Sequence, residues 1–86
     1  MNSKSKKTLK AIFENPLRSD IRWNDIESLI NNLDGTVNQG KGSRVFFYLN
    51  GQVGRFHKPH PNQEIEKYAV KGLRDFLEVA GVLPEE

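Results

Sequence analysis

The dipeptide Asn50-Gly51 constrains this chain more than any other feature. It separates two runs rich in Val, Phe and Tyr, Ser43–Leu49 and Gln52–His57. A two-residue type I′ turn needs positive φ at both central positions, and Asn followed by Gly tolerates that best, so the pair predicts a tight β-hairpin. A loop of that length also fixes the register. Leu49 then faces Gln52, Tyr48 faces Val53, Phe46 faces Arg55, and Arg44 faces His57. Opposed residues share a sheet face. One face collects Val45, Phe47, Leu49, Gln52, Gly54 and Phe56, a mostly apolar set suited to lie under helices. The other collects Arg44, Phe46, Tyr48, Val53, Arg55 and His57, which is an odd set to leave in water unless it binds something.

The flanking segments complete an α-α-β-β-β-α order. Thr36–Gln39 reads as a third strand joined through the turn Gly40-Lys41-Gly42, and Pro59 and Pro61 stop the sheet. Ser3–Asn15 reads as a short helix with Leu9, Ile12 and Phe13 on one side, ended by Pro16. A second helix starts at Asn24, a capping residue, with Glu27 placed to close a capping box. Its stripe is Ile26, Leu29, Ile30 and Leu33, Trp23 packs back on it, and Gly35 closes it. The last helix runs from about Glu64 to Ala80, burying Ala69, Val70, Leu73, Phe76, Leu77 and Ala80, with Gly81 after it. The fold class expected is α+β with a three-stranded antiparallel sheet. At 86 residues the expectation is one domain over 1–86.

Charge is unevenly distributed. The formal net charge is only +2, yet no acidic residue occurs from Gly35 to Gln63, a stretch holding Lys41, Arg44, Arg55 and Lys58. An acid-free middle in a nearly neutral protein makes a local positive field of the kind that attracts phosphate. Arginines supply phosphate contacts and exposed aromatics supply stacking surfaces for unpaired bases. An ordinary solvated basic face, with cation–π pairs across the ladder, is the plain alternative. The chain has no cysteine, no apolar run near the ~18 residues of a membrane span and no signal-peptide pattern, so a cytoplasmic, membrane-free protein is expected. His57 and His60 are its two histidines. With no Cys and no carboxylate nearby in sequence, neither a metal site nor a cofactor is expected. Ser43 could meet His57 across the ladder, but nothing marks a nucleophile elbow.

The chain resembles the HicA toxins, small RNA-cleaving partners of type II toxin–antitoxin systems. The resemblance covers roughly Trp23 to Val82, with residues 1–15 as a helical extension on the core at 23–82. It rests on Leu33-Asp34-Gly35, the turn Gly40-Lys41-Gly42-Ser43, the step His60-Pro61 followed by Glu64-Ile65, and the closing Leu73-Arg74-Asp75-Phe76-Leu77-Glu78-Val79-Ala80-Gly81-Val82. It implies a double-stranded-RNA-binding-domain-like fold, endoribonuclease activity on mRNA, and a HicB-like antitoxin as protein partner. In the family pattern Gly-Ser is followed by the histidine taken as catalytic; here Gly42-Ser43 is followed by Arg44.

The register supplies a substitute, because His57 lies opposite Arg44 on the same face. Metal-free RNA cleavage needs a base for the 2′-OH proton and an acid for the leaving 5′-oxygen, and histidine serves either role near neutral pH. His57 is therefore expected as the principal acid/base, Arg44 as an electrostatic clamp and His60 as a second candidate. Lys41, Ser43, Arg55, Lys58 and Tyr48 are expected to contact RNA. The alternatives are a catalytically inactive RNA-binding module of the same fold and a face that only docks a protein such as the antitoxin.

Overall fold

The structure, a computed structural model, describes residues 1–60 and 63–84. Its elements are α1 (Ser3–Ile12), α2 (Trp23–Asn32), β1 (Thr36–Gln39), β2 (Arg44–Leu49), β3 (Gln52–His57) and α3 (Lys67–Val79). The hairpin forms as its turn chemistry requires, with φ of 49° at Asn50 and 79° at Gly51. All the expected pairs are made, from Leu49 opposite Gln52 to Arg44 opposite His57. β1 pairs antiparallel with β2, Thr36 opposite Tyr48 and Gln39 opposite Val45, so the sheet order is β1-β2-β3. The fold is α+β, as expected.

The two faces of the sheet separate as the register dictates. Val45, Phe47 and Leu49 are buried and Gly54 is enclosed, while Arg44, Tyr48, Val53, Arg55 and His57 are exposed. Phe47 is the centre of the core: its ring stacks on Trp23 at 5.5 Å between centroids and lies 5.0 Å from Phe56 and 6.4 Å from Phe76. Burying a side chain of that size contributes about 1.5–3 kcal/mol before the aromatic contacts are counted. Gly54 is required by this cluster, since a Cβ there would stand 2.8 Å from Phe76 Cδ1 and 2.7 Å from Phe56 Cε2. Leu9 and Ile12 of α1 join the same core as Ile26, Ile30 and Leu77.

Element ends depart from the sequence expectations for identifiable reasons. α1 stops at Ile12 rather than Asn15: Phe13 and Glu14 close a tight final turn onto Lys10 and Ala11, and the residue before Pro16 is barred from helical geometry. α2 starts at Trp23, its cap two positions before the expected Asn24, and no capping box forms. Glu27 is engaged elsewhere, its carboxylate accepting from the Trp23 indole Nε1 at 2.8 Å. The cap position falls to Arg22, which forms an isolated bridge with Glu64, while Ile65 N–H donates to Ile21 at 2.9 Å. That bridge keeps Glu64 extended, so α3 begins at Lys67 and not at Glu64. Pro59 follows the end of β3, and Pro61 lies outside the described residues.

The C-termini of α2 and α3 close in the same way. After α2 the left-handed residue is Asp34, φ 64°, with Gly35 N–H donating back to Ile30 at 2.9 Å. Gly35 is thus needed for close approach and not for its φ: a Cβ there would stand 2.8 Å from Tyr48 O. After α3 the left-handed residue is Gly81, with Val82 N–H donating to Leu77 at 2.8 Å. Asn50 docks the hairpin tip on this end, its Nδ2 donating to Ala80 O at 2.8 Å. Arg74 ties α1 to α3. It donates to Ile12 O at 2.9 Å and Glu14 O at 2.6 Å, and stands 5.7 Å over the Phe13 ring.

Candidate nucleic-acid interface on the open sheet face

The helices occupy one side of the sheet, so the other is free to present side chains. Arg44 begins β2 and His57 ends β3, and the hairpin register sets them directly opposite one another. Lys58 N–H donates to Ser43 O at 2.7 Å, so hydrogen bonding resumes just beyond the pair and Arg44–His57 is a non-bonded pair. Such pairs have Cα atoms only ~4.5 Å apart, with the side chains close. Arg44, Phe46, Arg55 and His57 border a depression of about 210 Å³ on this face. Its rim therefore carries two guanidiniums and an imidazole with no carboxylate among the lining residues.

Ser43 orients the histidine. Its Oγ lies 3.2 Å from His57 Nδ1. In the tautomer with Nδ1–H donating to Oγ, the lone pair is on Nε2, the nitrogen left free to take a proton. The turn before β2 brings Lys41 near: Arg44 N–H donates to Lys41 O at 3.2 Å, Gly42 takes φ 64°, and the Lys41 side chain is exposed. Gly40 admits the Phe46 ring, which would stand 2.8 Å from a Cβ at that position.

The sequence candidates divide by place. Arg44, His57, Ser43 and Arg55 come together, with Lys41 and Lys58 flanking them. Tyr48 shares the face and is 40% exposed, but lies four residues along β2 from Arg44, about 13 Å away at strand rise. His60 stands apart in the turn after β3, where its N–H donates to Gln63 Oε1 at 3.1 Å and its C=O accepts from Gln63 N at 3.0 Å. Lys58 is not a free cation: Glu27 Oε2, already bonded to the Trp23 indole, lies 4.0 Å from its Nζ. Sequence reasoning missed Glu27, because α2 and the end of β3 are far apart in the chain. Among the described residues no group of three His, Asp or Glu side chains is placed to hold a metal ion, and no helix is long and apolar enough to cross a membrane. The carboxyl of Asp20, in the loop before α2, is held below its ordinary range chiefly by the Arg18 guanidinium, which donates to it at 2.8 and 2.6 Å.

These observations define an α+β protein whose sheet gives one face to helices and the other to cations grouped around an oriented histidine. Residues 23–82 of the 86 match the sequence model of the family described as HicA toxin of bacterial toxin-antitoxin, and the chain belongs to that family. It is thereby a toxin of a toxin–antitoxin system, in a family of ribonucleases with a double-stranded-RNA-binding-domain-like fold and an antitoxin partner. Searches of curated proteins and of solved structures give no match.

Proposed function

We propose that this protein is a metal-independent endoribonuclease acting on mRNA in the cytoplasm, and that it binds RNA on the open basic face. His57 Nε2 takes the proton of a ribose 2′-OH, and the freed 2′-oxygen attacks the adjacent phosphorus. The P–O5′ bond breaks, leaving a 2′,3′-cyclic phosphate on one fragment and a 5′-hydroxyl on the other, whose oxygen is protonated by a histidinium or by water. Arg44 and Arg55 stabilise the charge that builds on the phosphoryl oxygens. Ser43 is a positioning residue, holding the ring through Nδ1. Lys41 and Lys58 contact flanking phosphates, Tyr48 offers a stacking surface further along the strand, and His60 is the second candidate acid. A HicB-like antitoxin neutralises the toxin by covering this same face.

The observation that carries the proposal is the Ser43–His57–Arg44 grouping. By the resemblance Arg44 stands at the position of the family's histidine, and the register sets the His57 imidazole opposite it, 3.2 Å from Ser43 Oγ. The test is cleavage of an end-labelled single-stranded RNA in EDTA by the native chain and by His57→Ala. Cleavage by the native chain alone is the expected result. Cleavage by both removes His57 from the chemistry. RNA binding with no cleavage by either favours the second possibility, a binding module that Arg44 in place of histidine has left without chemistry.

A further inference from the structure

The depression on the open face has a neighbour around the edge of the sheet. β3 is an edge strand, and beside it lies a cavity of about 200 Å³ bounded by Trp23 and by residues of α3. Its lining is mostly apolar: Phe56 and Tyr68 are partly or largely exposed, and Trp23 and Phe47 are buried behind them in the core. Tyr68 stands 76% exposed at its mouth. Gly72 faces open space on the cavity wall, where a Cβ would meet only Phe56 Cε1, at an ordinary contact distance of 3.9 Å. His57 and Arg55 line both this cavity and the depression, so the two adjoin β3 at the same residues. Lys58 N–H is turned inward to Ser43. Alternation along the strand therefore turns the backbone N–H and C=O of His57 and Arg55 outward, to the free edge.

We propose that this cavity is a nucleobase subsite, taking the base of the nucleotide whose 2′-OH meets His57. The assignment rests on the role given to His57 above. A base is carried on C1′, the carbon next to C2′, so a group in contact with the 2′-oxygen has that nucleotide's base close by. The cavity adjoining His57 is where the base must go. It is smaller than the ~300–1,000 Å³ pockets that take drug-sized ligands, which suits one flat ring system. The Tyr68 and Phe56 rings stack any base, and the outward backbone groups of Arg55 and His57 supply donors and acceptors for reading a base edge. An apolar side chain of a protein would fit the same walls. The Arg55 guanidinium at the shared wall, with no carboxylate lining either cavity, favours the polyanion.

The test uses 2′-fluoro oligonucleotides, which lack the attacking hydroxyl, in four homopolymeric forms beside an abasic chain of equal length. Trp23, the single tryptophan, lines the cavity and reports binding by its emission. At least one base-bearing oligonucleotide should bind about tenfold or more tighter than the abasic chain, in the range of stacking one base. Gly72→Leu, which fills the cavity, should reduce that ratio to near one while leaving the abasic affinity unchanged. Tyr68→Ala, at a position too exposed to endanger the fold, should reduce the ratio in part. Equal affinity of base-bearing and abasic chains for the native protein overturns the proposal. So does a Gly72→Leu protein that keeps its base preference but escapes neutralisation by the antitoxin, since the cavity then receives a protein side chain. Base preference in a protein that cuts no RNA would refute only the catalytic role of His57. Cutting without base preference would refute only the subsite.

Discussion

On the helix side of β2 and β3, Val45, Phe47 and Leu49 are buried, and the Phe47, Phe56 and Phe76 rings interlock with Trp23. On the other side of the same two strands, Arg44, Tyr48, Val53, Arg55 and His57 are exposed, and their neighbours are one another. On the function proposed above, alternation alone separates a face that can be changed only at a cost in stability from one that can be changed at a cost in activity. The largest contrast is at His57. His57→Ala should lower the rate of RNA cleavage by about 10²–10⁴-fold, the usual contribution of a positioned acid/base. Thermal melting should stay within error, because the side chain is exposed and supports nothing in the core. A melting point that falls together with the activity would erase the functional distinction between the faces.

Phe47, fully buried on the helix side of β2, should behave in the opposite sense. Phe47→Ala should cost about 3–5 kcal/mol in denaturant unfolding, a large part of the ~5–15 kcal/mol available to a small domain. Because Leu9 and Ile12 share its core, α1 should be lost in the same single transition. A separate early transition for α1 would show that the extension stands on its own.

Gly54 tests the same packing with one methyl group. Gly54→Ala places a Cβ 2.8 Å from the Phe76 ring, and the strand must move or the ring must turn. Overpacking of this kind costs about 1–3 kcal/mol. Unchanged stability would mean that the aromatic cluster has slack, and the sharp difference in tolerance between the faces would weaken.

The hairpin and its faces were legible in the sequence because turn chemistry is local: Asn50-Gly51 admits one register, and alternation does the rest. What could not be read came from contacts between distant segments. The bridge between Arg22 and Glu64 moved the start of two helices, and no spacing within either helix encodes it. Asp34 took the left-handed position that Gly35 was expected to fill, since Gly35 was required for contact with the Tyr48 carbonyl instead. At the site, Arg44, His57 and Ser43 were brought together by register. The pairing of Lys58 with Glu27 depends on how α2 packs against the end of β3, which a single sequence does not display.

That pairing separates two lysines with equal formal charge. Lys41 is exposed in the turn before β2, and no ion pair to it is present among the described residues. Lys58 has Glu27 4.0 Å away, and that carboxylate is itself fixed by the Trp23 indole at 2.8 Å. Each phosphate contact on a single strand releases about 0.7 of a counterion, which appears as the slope of log affinity against log salt. Lys41→Ala should flatten the slope by about 0.7. Lys58→Ala should flatten it by less, because part of its charge is already balanced and RNA displaces fewer ions there. Glu27→Gln keeps an acceptor for the indole while removing the competing charge, so Lys58 should then count in full and the slope should steepen. Equal slopes for the two lysine variants would mean that RNA breaks the Lys58–Glu27 pair on binding. Glu27→Gln would then strengthen binding at every salt concentration without altering the slope.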